Sequence, residues 1–217
     1  MKTSNAMKAV VRGLYAVTPD ITDTRELEAK VEAALLGGAV LVQYRNKTAD
    51  ARLRSLQAGV LQALCRAHAV PLIVNDHVDL AIALNADGVH LGQEDGLLPQ
   101  ARAQLGAGKL LGASCYDRLD RAVAAVHAGA DYVAFGSFFP STIKPGAVRA
   151  PLALLRNARR ELSVPIVAIG GITLDNAAQV ITAGADAVAV ISALFSAPDV
   201  RLVAERFKTI FETTLQT

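Results

Sequence analysis

The chain has 217 residues, of which 52% are hydrophobic and 19% charged. That composition supplies a large core and excludes global disorder, and the length fits one domain or at most two small ones. The formal net charge is only +2, and no long basic block occurs, which argues against a nucleic-acid partner.

No apolar run approaches the ~18 residues of a membrane span. The opening MKTSNAMKAV lacks the apolar stretch of a signal peptide. Residues 1–8 read as a flexible leader, with Met7 as an alternative start, ahead of a single domain over residues 9–217. The two cysteines, Cys65 and Cys115, fall in a helical and a strand pattern. They read as core thiols of a reducing compartment, so the expected location is the cytoplasm.

In chain order, strand-like runs cover Val10–Val17, Ala39–Tyr44, Leu72–Val74, Gly88–Leu91, Lys109–Ser114, Tyr132–Phe135, Ile166–Ile169 and Ala187–Ile191. Helical patterns cover Thr24–Leu36, Ala49–Ala69, Asp79–Leu84, Leu98–Leu105, Leu119–His127, Leu152–Leu162, Asp175–Ala183 and Val200–Leu215. The runs are short and rich in Val, Leu and Ile, as strands buried on both faces are. Strands alternating with helices imply parallel pairing through right-handed crossovers. Eight such units at this length predict a single-domain α/β fold, a (β/α)8 TIM barrel. An open doubly wound sheet is the alternative, but no strand reads as a polar edge.

A weak repeat supports the barrel. Ala128-Gly129-Ala130-Asp131 matches Ala183-Gly184-Ala185-Asp186, and Asn85-Ala86-Asp87 and Gly37-Gly38-Ala39 are looser copies. Each places Gly or Asn at a helix end, where a left-handed residue closes the last turn. These turns fall at the bottom of the barrel, so Asp87, Asp131 and Asp186 read as stability features.

The opposite rim collects the polar residues that follow each strand. In a barrel of this type, that is where ligands sit. Asp76 and Asp95 each lie just past a strand and would be neighbours. Two carboxylates with few competing ligands suit a Mg2+ that keeps several waters and shares a phosphate. The plainer reading is that Asp76 caps the next helix and Asp95 is solvated. Arg45 and Lys47, two apart, point the same way. They suit a multiply charged anion such as a diphosphate, or form surface ion pairs. Gln43 can bond the edge of a heterocycle or close a barrel layer.

Gly170-Gly171-Ile172-Thr173 before a helix, with Ile191-Ser192 one unit later, matches a barrel phosphate site, or serves as tight turns only. The aperiodic stretch Gly136–Ala150 suits a lid, and its Lys144 could supply a third cation. His68 and His127 sit at helix ends, and His90 reads as a buried, hydrogen-bonded histidine. No nucleophilic triad stands out.

These motifs together resemble the thiamine phosphate synthase family, also called thiamine-phosphate pyrophosphorylase. The matching stretches are Gly13-Leu14-Tyr15-Ala16-Val17-Thr18, Val42-Gln43-Tyr44-Arg45-Asn46-Lys47, Asn75-Asp76, Ala86–Asp95, Phe139-Pro140 to Lys144, Ile169-Gly170-Gly171-Ile172 and Ala189-Val190-Ile191-Ser192. The resemblance implies an enzyme that joins 4-amino-2-methyl-5-hydroxymethylpyrimidine diphosphate to 4-methyl-5-hydroxyethylthiazole phosphate and releases diphosphate. It implies that Gln43, Tyr44, Arg45, Asn46, Lys47, Asn75, Ser114 and Lys144 hold the pyrimidine diphosphate, with Arg45, Lys47, Lys144 and Ser114 acting catalytically. Asp76 and Asp95 would hold Mg2+. Ser141, Thr142, Ile143, Gly171, Ile191 and Ser192 would hold the thiazole phosphate.

Three positions depart from the pattern: Ile143 where a Thr is frequent, Asn46 where an acid is usual, and Tyr116 where His is common. The partners implied are small molecules, with neither nucleic acid nor membrane; a homo-oligomer stays open. Competing readings are a thiazole tautomerase on the same barrel, a non-catalytic barrel that binds a phosphorylated ligand, and a sugar-phosphate isomerase. The first should lack Asn75, Asp76 and Asp95, the second gives the metal ligands no task, and the third needs an acid/base pair that the rim does not offer.

Overall fold

The structure, a computed structural model, describes residues 10–92, 97–140, 146 and 148–215. Eight strands alternate with helices. The strands are β1 (Gly13–Val17), β2 (Leu41–Tyr44), β3 (Leu72–Asn75), β4 (Gly88–Leu91), β5 (Leu110–Tyr116), β6 (Tyr132–Phe135), β7 (Ile166–Ile169) and β8 (Ala187–Val190). The helices among the described residues are α1 (Thr24–Leu36), α2 (Ala51–Ala67), α3 (Val78–Ala83), α4 (Leu98–Leu105), α5 (Leu119–His127), α6 (Leu152–Glu161), α7 (Ala177–Thr182), α8 (Ser192–Phe195) and α9 (Val200–Thr214). Each strand pairs with the next, and β1 pairs with β8 in parallel, Gly13 opposite Ala187, so the sheet closes into the expected barrel.

The strands alternate their side chains between two cores, because neighbouring residues of a strand point to opposite faces. One set fills the lumen: Tyr15, Val17, Leu41, Ile73, Tyr132, Ala134, Val167, Ala187 and Ala189. The other set, with Leu14, Val42, Val133, Phe135 and Val188 among it, meets the helices. Gly88 keeps the lumen wall thin, since a Cβ there would sit 2.2 Å from the Leu110 carbonyl oxygen.

Helix starts are set by side chains that accept the first unpaired N–H groups. Asp23 accepts from Arg25 and Glu26, Asp50 from Leu53, and Asp199 from Leu202. Helix ends follow the repeat: Gly38, Asn85, Gly129 and Gly184 all take positive φ. The Asp that follows three of these turns ties the bottom of the barrel. Asp87 accepts from Leu72 N, Asp131 from Leu111 N and Asp186 from Ile166 N. Arg102 of α4 bridges the Gly129 carbonyl and Asp131, and Arg159 of α6 does the same for Gly184 and Asp186.

Several boundaries differ from expectation. β1 begins at Gly13 rather than Val10; Val11 is buried in the lumen below the first paired residue. β5 runs on to Tyr116 through a register shift after Ser114. The four-residue α8 is too short to leave a period in the sequence. The expected leader, residues 1–8, lies outside the described residues. Among the described residues, no helix is long and apolar enough to cross a membrane.

Candidate active site at the barrel mouth

A cavity of about 700 Å3 opens at the C-terminal ends of the strands. That volume suits a small organic ligand. Gln43, Arg45, Lys47, Asn75, Asp76, Ser114 and Ile191 all line it. Strand alternation accounts for the first three: Gln43 ends the lumen face of β2, and Arg45 and Lys47 continue that face beyond the strand.

The loop after β1 splints this cationic segment. Thr18 Oγ1 accepts from Arg45 N at 2.8 Å and donates to Arg45 O at 2.7 Å. The Asp20 carboxylate accepts from Arg45 Nη1 at 3.1 Å and from Lys47 N at 2.8 Å. Thr18 and Asp20 follow β1 in the sequence, where nothing ties them to Arg45.

Asp76 follows β3 with φ +64°, in the left-handed region. Asp adopts it more readily than most residues, and such strain persists only where surrounding bonds hold it. Here Asp76 N donates to His90 O at 2.9 Å. The turn leaves the carboxylate on the cavity wall, with Lys47 Nζ 3.8 Å from Asp76 Oδ2. The N-cap position of α3 is held by the next residue, His77.

Tyr44 and Asn46 point to the opposite face from Gln43 and Arg45. The Tyr44 hydroxyl donates to Gln57 Oε1 at 3.0 Å. The Asn46 amide donates to Ile21 O and Gln57 Oε1, and its Oδ1 accepts from Thr48 and Ala49. Both line a smaller recess of about 250 Å3 behind Lys47 and Asp76, not the mouth. Asn46 thus fastens the end of β2 to α2.

On the far wall, the turn after β7 holds Gly170 at φ +99° and Gly171 at φ +64°. A Cβ on Gly170 would sit 2.1 Å from Ser137 Oγ, and one on Gly171 2.2 Å from Pro140 O. The glycines let the loop after β6 lie on this turn, where Phe139 N donates to Gly170 O at 3.0 Å. Gly170 lines the cavity, and Gly171 beside it is half-buried. Ser192 opens α8. Asp95, Ser141, Thr142, Ile143 and Lys144 lie outside the described residues.

The structure adds Asp117 and Arg121, which the sequence did not single out, next to Tyr116. Tyr116, Asp117 and Arg121 line the mouth beside Ser114, with the Arg121 guanidinium 5.6 Å from the Tyr116 ring centre. His90 is buried and hydrogen-bonded as expected, between Tyr132 Oη at 3.0 Å and Ser114 Oγ at 2.9 Å. Tyr15 and Tyr132 are fully buried beneath the cavity, and burial raises both phenols well above their ordinary pKa.

Comparison with known proteins agrees with this architecture. A family model described as thiamine monophosphate synthase matches residues 14–194. The chain is 58% identical over 202 residues to the thiamine-phosphate synthase of Aromatoleum aromaticum, covering 93% of this chain and 97% of that one. It is 56% identical over 203 residues to the thiamine-phosphate synthase of Thioalkalivibrio sulfidiphilus, covering 93% and 96%. Among solved structures, thiamine phosphate pyrophosphorylase from Pyrococcus furiosus superposes with a TM-score of 0.85 at 38% identity, over 96% of this chain and 98% of that one. The chain belongs to the thiamine monophosphate synthase family, transferases of thiamine biosynthesis.

Proposed function

We infer that the mouth condenses 4-amino-2-methyl-5-hydroxymethylpyrimidine diphosphate with 4-methyl-5-hydroxyethylthiazole phosphate, giving thiamine phosphate and diphosphate. The observation that carries this reading is the convergence of Arg45, Lys47 and Asp76 on one wall of a cavity whose floor offers Gln43 and Ser114. Arg45 and Lys47 bind the diphosphate, Gln43 takes the edge of the pyrimidine, and Ser114 donates to a diphosphate oxygen. Preorganised cations and hydroxyls of this kind stabilise charge that develops on a leaving group.

The C–O bond between the pyrimidine methylene and the diphosphate breaks heterolytically, and its electron pair leaves on the diphosphate. The amino-substituted ring spreads the positive charge of the methylene. The thiazole nitrogen then forms the new C–N bond. No side-chain nucleophile is required, so the protein's task is positioning and electrostatics.

The residues fit a Mg2+ held by Asp76 and, through the family resemblance, Asp95. Asp76 offers a hard oxygen donor on the cavity wall, next to where the diphosphate would lie. Among the described residues there is no cluster of three His, Cys, Asp or Glu, as a closed protein cage would need. Mg2+ instead suits one or two carboxylates with waters and phosphate oxygens. When bound, it supplies Lewis-acid neutralisation of the diphosphate. The thiazole phosphate is assigned to the Gly170–Gly171 turn and Ile191–Ser192, with Ser141, Thr142 and Ile143; Lys144 is assigned to the diphosphate. A cytoplasmic location fits the two buried free thiols.

The test is thiamine phosphate formation with omission of each component. The expected result is product and diphosphate in equal amounts, only when both organic substrates and Mg2+ are present. Isomerisation of a thiazole carboxylate phosphate without diphosphate release would favour a tautomerase instead.

A further inference from the structure

A row of side-chain hydrogen bonds crosses the lumen under the mouth. Gln43 Nε2 donates to Tyr15 Oη at 2.7 Å, and Tyr15 Oη lies 2.9 Å from Tyr132 Oη. Tyr132 Oη lies 3.0 Å from His90 Nδ1, and His90 Nε2 lies 2.9 Å from Ser114 Oγ. The five residues come from β2, β1, β6, β4 and β5, so the row spans the barrel. Its ends are the two polar groups assigned above to opposite ends of one substrate. Gly112 makes room for it: a Cβ there would sit 2.3 Å from Tyr132 Oη and 2.5 Å from His90 Nδ1.

When every proton of the row is used within it, one direction for the Gln43 amide sets the direction of every other bond. An amide nitrogen only donates, and a hydroxyl carries one proton. Tyr15 accepts from Gln43, so its own proton goes to Tyr132. Tyr132 then donates to His90 Nδ1. The neutral imidazole carries its proton on Nε2 and donates to Ser114 Oγ. Ser114 is left with a proton to offer the cavity. Turning the Gln43 amide over puts Oε1 on Tyr15 and reverses each bond. Ser114 then donates to His90 Nε2 and shows the cavity only lone pairs.

We propose that this row makes Gln43 and Ser114 respond to one ligand as a unit. An amino group on the bound pyrimidine holds Gln43 Oε1 toward the cavity, and the row then turns the Ser114 hydroxyl toward the departing diphosphate. An oxo group at the same ring position turns the amide over and withdraws that donor. Tyr15, Tyr132 and His90 are positioning residues for this selection of aminopyrimidines over oxopyrimidines, exerted on departure of the diphosphate. Each group keeps its number of protons: the hydroxyls and the amide reorient, and the imidazole trades its Nε2 proton for one on Nδ1, the proton lost and the proton gained being exchanged with water in the cavity that Tyr15, His90 and Ser114 line. The inference rests on the proposed substrate, but its first readout needs binding and not turnover.

That readout is the 15N shift pair of the His90 ring, well above the ordinary histidine pKa, in the full chain bound to the aminopyrimidine diphosphate or to its 4-oxo analogue. The Nε2–H tautomer is expected with the first and Nδ1–H with the second, and no such switch in Tyr132→Phe. The same tautomer with both ligands in wild type would overturn the inference.

The second readout is the amino-to-oxo ratio of kcat. The intrinsic reactivities of the two rings are common to both proteins, so only a change in the ratio reports the row. Tyr132→Phe should shrink the ratio of kcat by about 10-fold, a factor of the size expected from one hydrogen bond to a charged group, while the ratio of KM stays within about 2-fold. An unchanged kcat ratio in a folded Tyr132→Phe contradicts the inference; Tyr15→Phe carries the same expectation if that variant does not fold. A wild type that binds both ligands and switches tautomer but turns over neither would refute the synthase reading and leave the row standing.

Discussion

Asp76 shows how far single residues can be read. Its place after an apolar run marked it as a rim carboxylate, and the structure puts it on the cavity wall, in a left-handed conformation that no sequence pattern announces. Strand periodicity likewise put Arg45 and Lys47 together. Followed strictly, the same period also turns Tyr44 and Asn46 away, which a contiguous motif had masked. Tyr15 and Tyr132 were invisible as polar residues, because they sit inside runs that read as uniformly apolar.

Burial of these groups has a measurable cost at high pH. It pushes the Cys65 and Cys115 thiols from 9.0 up to about 12, and Tyr44 from 10.0 up to about 12; Tyr15 and Tyr132 move the same way. Their folded pKa values lie above the unfolded ones. The stability they allow is therefore complete below the unfolded pKa, and it is lost as pH rises toward the folded value. The urea midpoint should hold near neutral pH and fall steadily above about pH 9; a flat profile to strongly alkaline pH would contradict these burials. Neither cysteine should react with a thiol reagent in the native chain, and both should react in denaturant.

The elements carry the stability of the end opposite the mouth. The repeat was legible because each helix end needs a small or left-handed residue before the chain re-enters the sheet. The partner half was not, since nothing in the helical pattern marks Arg102 and Arg159 for a role. In the structure each holds a carbonyl and a carboxylate, and that carboxylate also accepts a strand N–H. Asp186→Ala removes a partly buried acceptor from both the guanidinium and Ile166 N. It should cost ~1.5–3 kcal/mol in a denaturant titration, in the range for hydrogen bonds to charged groups. Its kcat should match wild type, because Asp186 lies at the far end of the strand from the cavity. A large fall in kcat with little loss of stability would mean that the two ends of the barrel are not separable.

At the scale of the whole molecule, closure of the sheet brings side chains from strands far apart in sequence into one cavity. The barrel was legible because eight short apolar runs alternate with helical periods, and its mouth because polar residues interrupt those runs at one end only. The bonds across the lumen were not legible, since they join residues as far apart as Tyr15 and Tyr132 and depend on closure.

The central claim is that the charged wall organises departure of the diphosphate, and one measurement reaches it directly. Diphosphate release would be followed with both organic substrates and Mg2+ for wild type, Asp76→Ala and Asp186→Ala. The account predicts release by wild type and Asp186→Ala at equal kcat, and a loss of ~10²-fold or more in Asp76→Ala, as expected when charge stabilisation of a leaving group is removed. Full activity in Asp76→Ala, or wild-type release that does not require the thiazole phosphate, would contradict it.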